Sequence, residues 1–231
     1  MRVADQALYE AKTLVAQHPR AALPVARLRG HGVVLGPGTD ILIEGYPRSA
    51  NSFAVAAFAL AQPHPVQIAH HTHAPAHVIA AVRRGIPALV LIREPEDAVL
   101  EFVIVRPHLS VRQALRGYLR FYRPLLPHRA GFVVGPFPEV TTDFGAVIAR
   151  VNERFGTSFV PFRHTPENEQ ATAHAIERSW KQRAGPGLPL IGRRTDAPGD
   201  ESREPMRHAF HARQLDVLRA KAEALYEAFV P

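Results

Sequence analysis

An α/β fold, with an open and mostly parallel sheet flanked by helices, is what this 231-residue chain predicts. Three observations carry that reading. Short apolar runs at residues 40–44, 66–71 and 88–92 alternate with segments of helical periodicity. The run Ala88-Leu89-Val90-Leu91-Ile92 has no polar member, as expected of a central parallel strand buried on both faces. The first run stops at Gly45-Tyr46-Pro47 and leads into an apolar helix, the opening half of a βαβ unit.

Taken in order, Val3, Leu8, Ala11, Leu14 and Val15 lie at helical spacing and predict a helix over 2–18. Residues 19–38 carry Pro and Gly and are expected to be irregular. A strand at 40–44 is followed by a helix that Asn51 or Ser52 opens and that runs through Ala61. A strand at 66–71 precedes a helix over 75–84 with Pro75 in its first turn. After the 88–92 strand, Pro95 starts a helix with Glu96 and Asp97 where the helix dipole favours acids. Residues 110–126 are expected to be helical and 132–134 a strand, and Thr142 or Asp143 caps a helix that ends at Phe155-Gly156. A helix over 166–183, a long Gly/Pro-rich loop over 185–205 and a last helix over 205–229 complete the chain. One domain over 1–231 is expected, with an N-terminal helix at 2–18, a core over about 39–200 and a C-terminal helix over about 205–229.

With 46% hydrophobic residues the chain can bury a sizeable core, yet no apolar stretch is long enough to span a bilayer. The N-terminus lacks the features of a signal peptide, so a cytoplasmic protein without membrane partners is expected. The absence of cysteine excludes disulfides and thiolate metal sites. The net charge of +7 comes almost wholly from arginine, which suits a planar grip on phosphate or sulfate. Those arginines are scattered rather than gathered into a stripe, so a small anionic ligand is favoured over nucleic acid.

Chemistry concentrates at the ends of the predicted strands. A loop that enters a helix offers unpaired backbone N–H groups and a partial positive charge. The loop after the first strand adds Arg48, Ser49, Asn51 and Ser52 as donors. It lacks the Gly-Lys of a nucleotide triphosphatase loop. His73 follows the next strand, where a neutral imidazole can take a proton from a hydroxyl near neutral pH. His70, His71, His73 and His77 could be read as metal ligands, but the segment brings no carboxylate with them and no metal is expected. Arg93 stands at the end of the third strand, beside a helix start, suited to a phosphate or to pairing with Glu94, Glu96 or Asp97.

These segments resemble the sulfotransferase family. The first loop is similar to its phosphosulfate-binding segment, commonly Tyr-Pro-Lys-Ser-Gly-Thr-Thr-Trp: Tyr46, Pro47 and Ser49 match, while Arg48, Ala50, Asn51, Ser52 and Phe53 replace Lys, Gly, the two Thr and Trp. His71-Thr72-His73-Ala74-Pro75 resembles the family's Lys-Thr-His-Leu-Pro, whose His is the general base. Arg93-Glu94-Pro95-Glu96-Asp97 is similar to the segment whose Arg grips a 3′-phosphate. Arg194 and Gly199-Asp200 match the Arg and Gly-Asp of a late loop that folds over the nucleotide.

The resemblance implies a P-loop NTPase-like sulfotransferase architecture. It also implies sulfuryl transfer from 3′-phosphoadenosine 5′-phosphosulfate to a hydroxyl or amine of a small-molecule acceptor. Arg48, Ser49, Ala50, Asn51, Ser52, Phe53, Arg93, Arg194 and Gly199 would bind that co-substrate, with His73 and Arg48 catalytic. Two departures stand out: Ala50 puts a Cβ where the family has glycine, and Glu101 occupies the register of a usual serine on the 3′-phosphate. A small-molecule kinase and a non-catalytic anion-binding protein remain alternatives, and the acceptor and oligomeric state are open.

Overall fold

The computed structural model describes residues 2–29, 32–184 and 200–230. Among these residues four parallel strands form one sheet: β1 (Ile41–Gly45), β2 (Ile68–His70), β3 (Ala88–Ile92) and β4 (Val133–Pro136), in the order β2-β1-β3-β4. Leu42 pairs with Ala69 on one side and Ala88 on the other, and Leu89 pairs with Val133.

Side chains that alternate along the strands divide the core in two. Ile41, Ile43, Leu89 and Leu91 pack under α3 (Asn51–Ala61), α7 (Phe137–Thr142) and α8 (Phe144–Phe155). Leu42, Val90 and Ile92 face α4 (Pro75–Arg83), α5 (Pro95–Val105), α6 (Val111–Tyr122) and α11 (Asp216–Phe229). The helices that follow the adjacent strands β1 and β3 thus cover opposite faces. Their strand ends part to leave a crevice, the usual ligand position of an open parallel sheet. Gly45 lets these ends approach closely, since a Cβ there would come within 2.6 Å of the Leu91 carbonyl oxygen.

Two tyrosines one turn apart on α6 hold this edge. The Tyr122 hydroxyl donates to the Leu91 carbonyl (2.7 Å) and accepts from the Tyr46 N–H (3.3 Å), which ties β3 to the loop after β1. The Tyr118 hydroxyl donates to the Arg93 carbonyl (2.9 Å).

Three elements differ from the expectation. Residues expected to be irregular form α2 (Pro19–Arg29), because Pro19 suits a first turn and Ala22 and Leu23 bury against the domain despite Pro24. The helix expected over 110–126 ends at Tyr122 and continues as a 3-10 segment, Arg123–Gly131, which contains Pro124 and Pro127. The last helix is divided into α10 (Asp200–Phe210), a short 3-10 turn (Arg213–Leu215) and α11. Ala222, Leu225 and Phe229 form one buried stripe, and on a straight helix Phe210 would sit about 120° away from Ala222. The break at Ala212 lets Phe210 turn inward as well. At the N-terminus α1 spans Arg2–Val15.

Replacing Tyr122 by Phe removes the hydroxyl that links Leu91 and Tyr46. It is expected to cost about 1–3 kcal/mol in urea denaturation, with an unchanged m-value.

Candidate functional site

A cleft of about 1590 Å³ opens over the C-terminal ends of β1, β2 and β3, walled on its far sides by α1 and by α9 (Pro166–Ala184). Arg120 of α6 holds α1 in place through Glu10 and through Thr13 (2.8 Å).

The loop Tyr46–Ala50 forms the floor of the cleft. It turns into α3 through two left-handed residues, Arg48 (φ 71°) and Ala50 (φ 65°). Ala50 is the N-cap, and no side chain caps the helix. The first turn of α3 thus lines the cleft with no side chain capping it, and an uncapped helix start can accept an anion. The loop is closed from beneath by the Asn51 amide, which donates to the Tyr46 carbonyl (3.0 Å).

Ser49 differs from the expectation. It is fully buried, its hydroxyl lies 3.4 Å from that of Tyr122, and its N–H donates to the Tyr46 carbonyl (3.3 Å). It turns the chain beneath the loop, and Ala50, Asn51, Ser52 and Phe53 after it line the cleft. Ser52 does face the cleft, with Oγ 3.1 Å from His71 Nε2. Phe53 stacks on His164 and meets Phe144 and Phe162 edge-on, so it joins the aromatic layer under α9.

Glu101 does not stand as an uncompensated charge. Its side chain is nearly buried, between Arg48 (3.1 Å) and Arg203 of α10 (2.5 Å). Arg93 pairs with Asp97 (3.0 Å), lies 4.1 Å over the Phe137 ring and donates to the Arg48 carbonyl (3.4 Å). Three guanidinium groups thus meet two carboxylates, Glu101 and Asp97, and leave a local positive surplus. The Nε atoms of Arg48, Arg93 and Arg203 are all buried without a hydrogen-bond partner. Orphaned donors of that kind suit an anionic ligand.

His73 follows β2 in a left-handed conformation (φ 49°). Its Nδ1 lies 2.8 Å from the Gly45 carbonyl, which can only accept, so Nδ1 carries the hydrogen and Nε2 is left to accept a proton. Beneath it is Glu44, a fully buried carboxylate on β1. Glu44 accepts from the Thr72 N–H (2.6 Å), the Thr72 hydroxyl (2.8 Å) and the His73 N–H (3.2 Å), and His77 Nδ1 lies 3.3 Å away. His77 Nε2 in turn accepts from the Leu35 N–H (2.9 Å), so its Nδ1 is the donor. Burial alone would raise the Glu44 pKa. The hydrogen bond from His77, the attraction of His73 and His77 and the Thr72 bond outweigh it, and the carboxyl falls from 4.5 to about 2.

The histidines therefore have separate duties: His71 meets Ser52 and His70, His73 meets Gly45, and His77 meets Thr72 and Leu35. Among the described residues no group of three or more His, Asp or Glu is arranged to hold a metal ion, and no helix is long and apolar enough to cross a membrane. Arg194 and Gly199 lie outside the described residues. Sequence reasoning gave no role to Glu44, Tyr118, Tyr122 and Arg203, and it met Thr72 only within a motif and His77 only as a possible metal ligand. A charge within the apolar run of β1 and the tyrosine pair four apart were the available signals.

No protein-family model matches the chain, and no curated protein matches it. Among solved structures the chain is similar to mouse sulfotransferase SULT7A1 complexed with PAP. The identity is 13% and the TM-score 0.43, over 82% of this chain and 89% of that one. The likeness is distant, and the chemistry of the cleft rests on its own geometry.

Two outcomes follow from this geometry. The folded chain binds a proton at Glu44 less readily than the unfolded chain, so the stabilisation is complete above about pH 5 and fades as pH falls toward 2. Wild type is expected to lose about 3 kcal/mol across that window from this group, and Glu44→Gln to show a flatter profile in denaturation measured at stepped pH. Ala50→Gly relieves a left-handed alanine and is expected to stabilise by about 0.5–1 kcal/mol in the same assay, whereas Ala50→Val should destabilise.

Proposed function

We propose that the chain is a sulfotransferase that moves a sulfuryl group from 3′-phosphoadenosine 5′-phosphosulfate to a hydroxyl or amine of a small-molecule acceptor. One observation carries the reading. The uncapped start of α3, with Arg48 and Arg93 beside it, shares one cleft with an imidazole whose Nδ1 is committed to Gly45. The buried, unpartnered Nε atoms of Arg48 and Arg93 fit an anionic group there.

In this reading the N–H groups from Ala50 to Phe53 hold the 5′-phosphate. Arg48 and Ser52 offset charge on the bridging oxygen as its bond to sulfur breaks. Arg93 grips the 3′-phosphate, and Arg194 and Gly199 also bind the nucleotide. His73 Nε2 takes the proton that the acceptor loses as its bond to sulfur forms. The co-substrate supplies an activated sulfuryl group, and the protein's part is to position it and stabilise charge in line. Arg48 provides the positive charge, so no metal is invoked. Glu101 is compatible with this role: when Arg48 turns to the ligand, Arg203 still pairs the carboxylate, and no buried charge is left alone.

Calorimetric titration with 3′-phosphoadenosine 5′-phosphate is expected to give roughly micromolar affinity or better. Arg93→Ala should weaken it at least about tenfold; equal affinity in both proteins removes Arg93 from the site. His73→Ala is expected to lower turnover of the phosphosulfate, with a panel of phenols, alcohols and amines as acceptors, by about 10²–10⁴-fold. Nucleotide affinity should stay within about threefold.

A further inference from the structure

We propose that Glu44 is a positioning residue for His73: from inside the sheet it anchors the backbone N–H that keeps the ring aimed at the Gly45 carbonyl, and with it the tautomer, and it holds the charge that the ring acquires. The proposal deepens the sulfotransferase reading and rests on His73 as the proton acceptor. Glu44 is fully buried, yet its donors come mainly from the two residues at the site, Thr72 and His73. Its Oε2 accepts the His73 N–H at 3.2 Å, which secures a left-handed residue at φ 49°. The same oxygen lies 4.0 Å from His73 Nδ1, which points at the Gly45 carbonyl.

A hydrogen on Nδ1 therefore sits between a carbonyl and a carboxylate, both attractive to it. A lone pair there would face two negative oxygens. The tautomer with Nδ1–H and a free Nε2 is the one this surrounding favours, and it is the tautomer that can accept a proton from the cleft. Once Nε2 is protonated, the ring carries a full positive charge 4.0 Å from a buried negative one. Glu44 is fully buried and His73 only partly exposed to the cleft, so water screens that attraction incompletely.

Apart from the Gly45 carbonyl, which Nδ1 meets directly, the other groups near His73 do not supply this effect. His71 presents its ring at 5.8 Å, edge-on, and is bonded to Ser52. His77 of α4 reaches Glu44 and Thr72, not His73. Arg48 lines the same cleft but is paired with Glu101. The Thr72–His77–Leu35 chain instead keeps Glu44 ionised and stationary, since Leu35 pins His77 Nε2 and so aims Nδ1 inward.

The test compares wild type with Glu44→Gln by 15N NMR of the imidazole nitrogens, alongside turnover and titration with 3′-phosphoadenosine 5′-phosphate. Wild type should show His73 as one tautomer with the hydrogen on Nδ1. Glu44→Gln should show a mixture, with kcat lower by about 30- to 100-fold and nucleotide affinity within about threefold. Leu42→Ala, on the same face of β1, controls for lost stability and should keep the wild-type spectrum. A single Nδ1–H tautomer with wild-type kcat in folded Glu44→Gln overturns the proposal. If that variant does not fold, Glu44→Asp draws the charge back by one methylene and should give an intermediate mixture; an unchanged spectrum there overturns it equally. The tautomer is read without any acceptor, so a wrong assignment of the reaction would show as a shifted tautomer in a protein without transferase turnover.

Discussion

A carboxylate taken fully out of water must find donors or give up its charge, and Glu44 meets that requirement with groups drawn from a single short stretch of chain. The consequence reaches well beyond one side chain. Thr72 and His73 are held by their backbone N–H groups, which sets the direction in which the chain leaves β2. His77 is drawn to the same carboxylate, which orients the start of α4, and through Leu35 it also anchors the segment that precedes β1. A packed hydrocarbon at residue 44 could bury as much surface, but it would leave those N–H groups without acceptors and His73 free to turn.

The opposite side of the cleft solves a related problem with the signs reversed. Arg48 and Arg93 face a partly buried cleft beside the positive end of α3, an arrangement that repels itself in the absence of an anion. Glu101 and Asp97 relieve the repulsion from α5, and Arg203 then keeps Glu101 satisfied from α10. Because each carboxylate can change partners without losing all of them, a cation can be released to a ligand at modest cost. α10 follows the segment that contains Arg194 and Gly199, so this ion-pair seam also links the C-terminal part of the chain to the floor of the cleft.

Both halves of the site depend on where the backbone changes sides. β1 and β3 are neighbours whose following helices cover opposite faces of the sheet, and a crevice opens where they part. Tyr122 and Tyr118 hold that parting at a defined width through the Leu91 and Arg93 carbonyls. Their rings belong to the core, while their hydroxyls set the geometry of the loop and of the arginine above them.

What the sequence determined by itself is local. The apolar runs specified the strands, the Gly45-Tyr46-Pro47 turn specified the loop, and Arg48, His73 and Arg93 were legible as cleft residues because each lies just after a strand that ends at a common edge. Pairing was not legible. Glu44 and His77 are 33 positions apart, and Glu101 and Arg203 are 102 apart, so no periodicity within either segment signals that they meet. Ser49 looked like a donor from its spacing and proved to be a buried turn residue, because the direction of a hydroxyl depends on which neighbour fills the space beside it, here Tyr122. The break before α11 has the same origin: the stripe that each helix presents is written in the sequence, but the need for Phe210 and Phe229 to reach one core arises only when both helices pack on the sheet. Hydrophobic pattern acts over a few residues and fixes elements, whereas charge neutralisation and hydrogen-bond satisfaction act across space, and only the folded chain decides their partners.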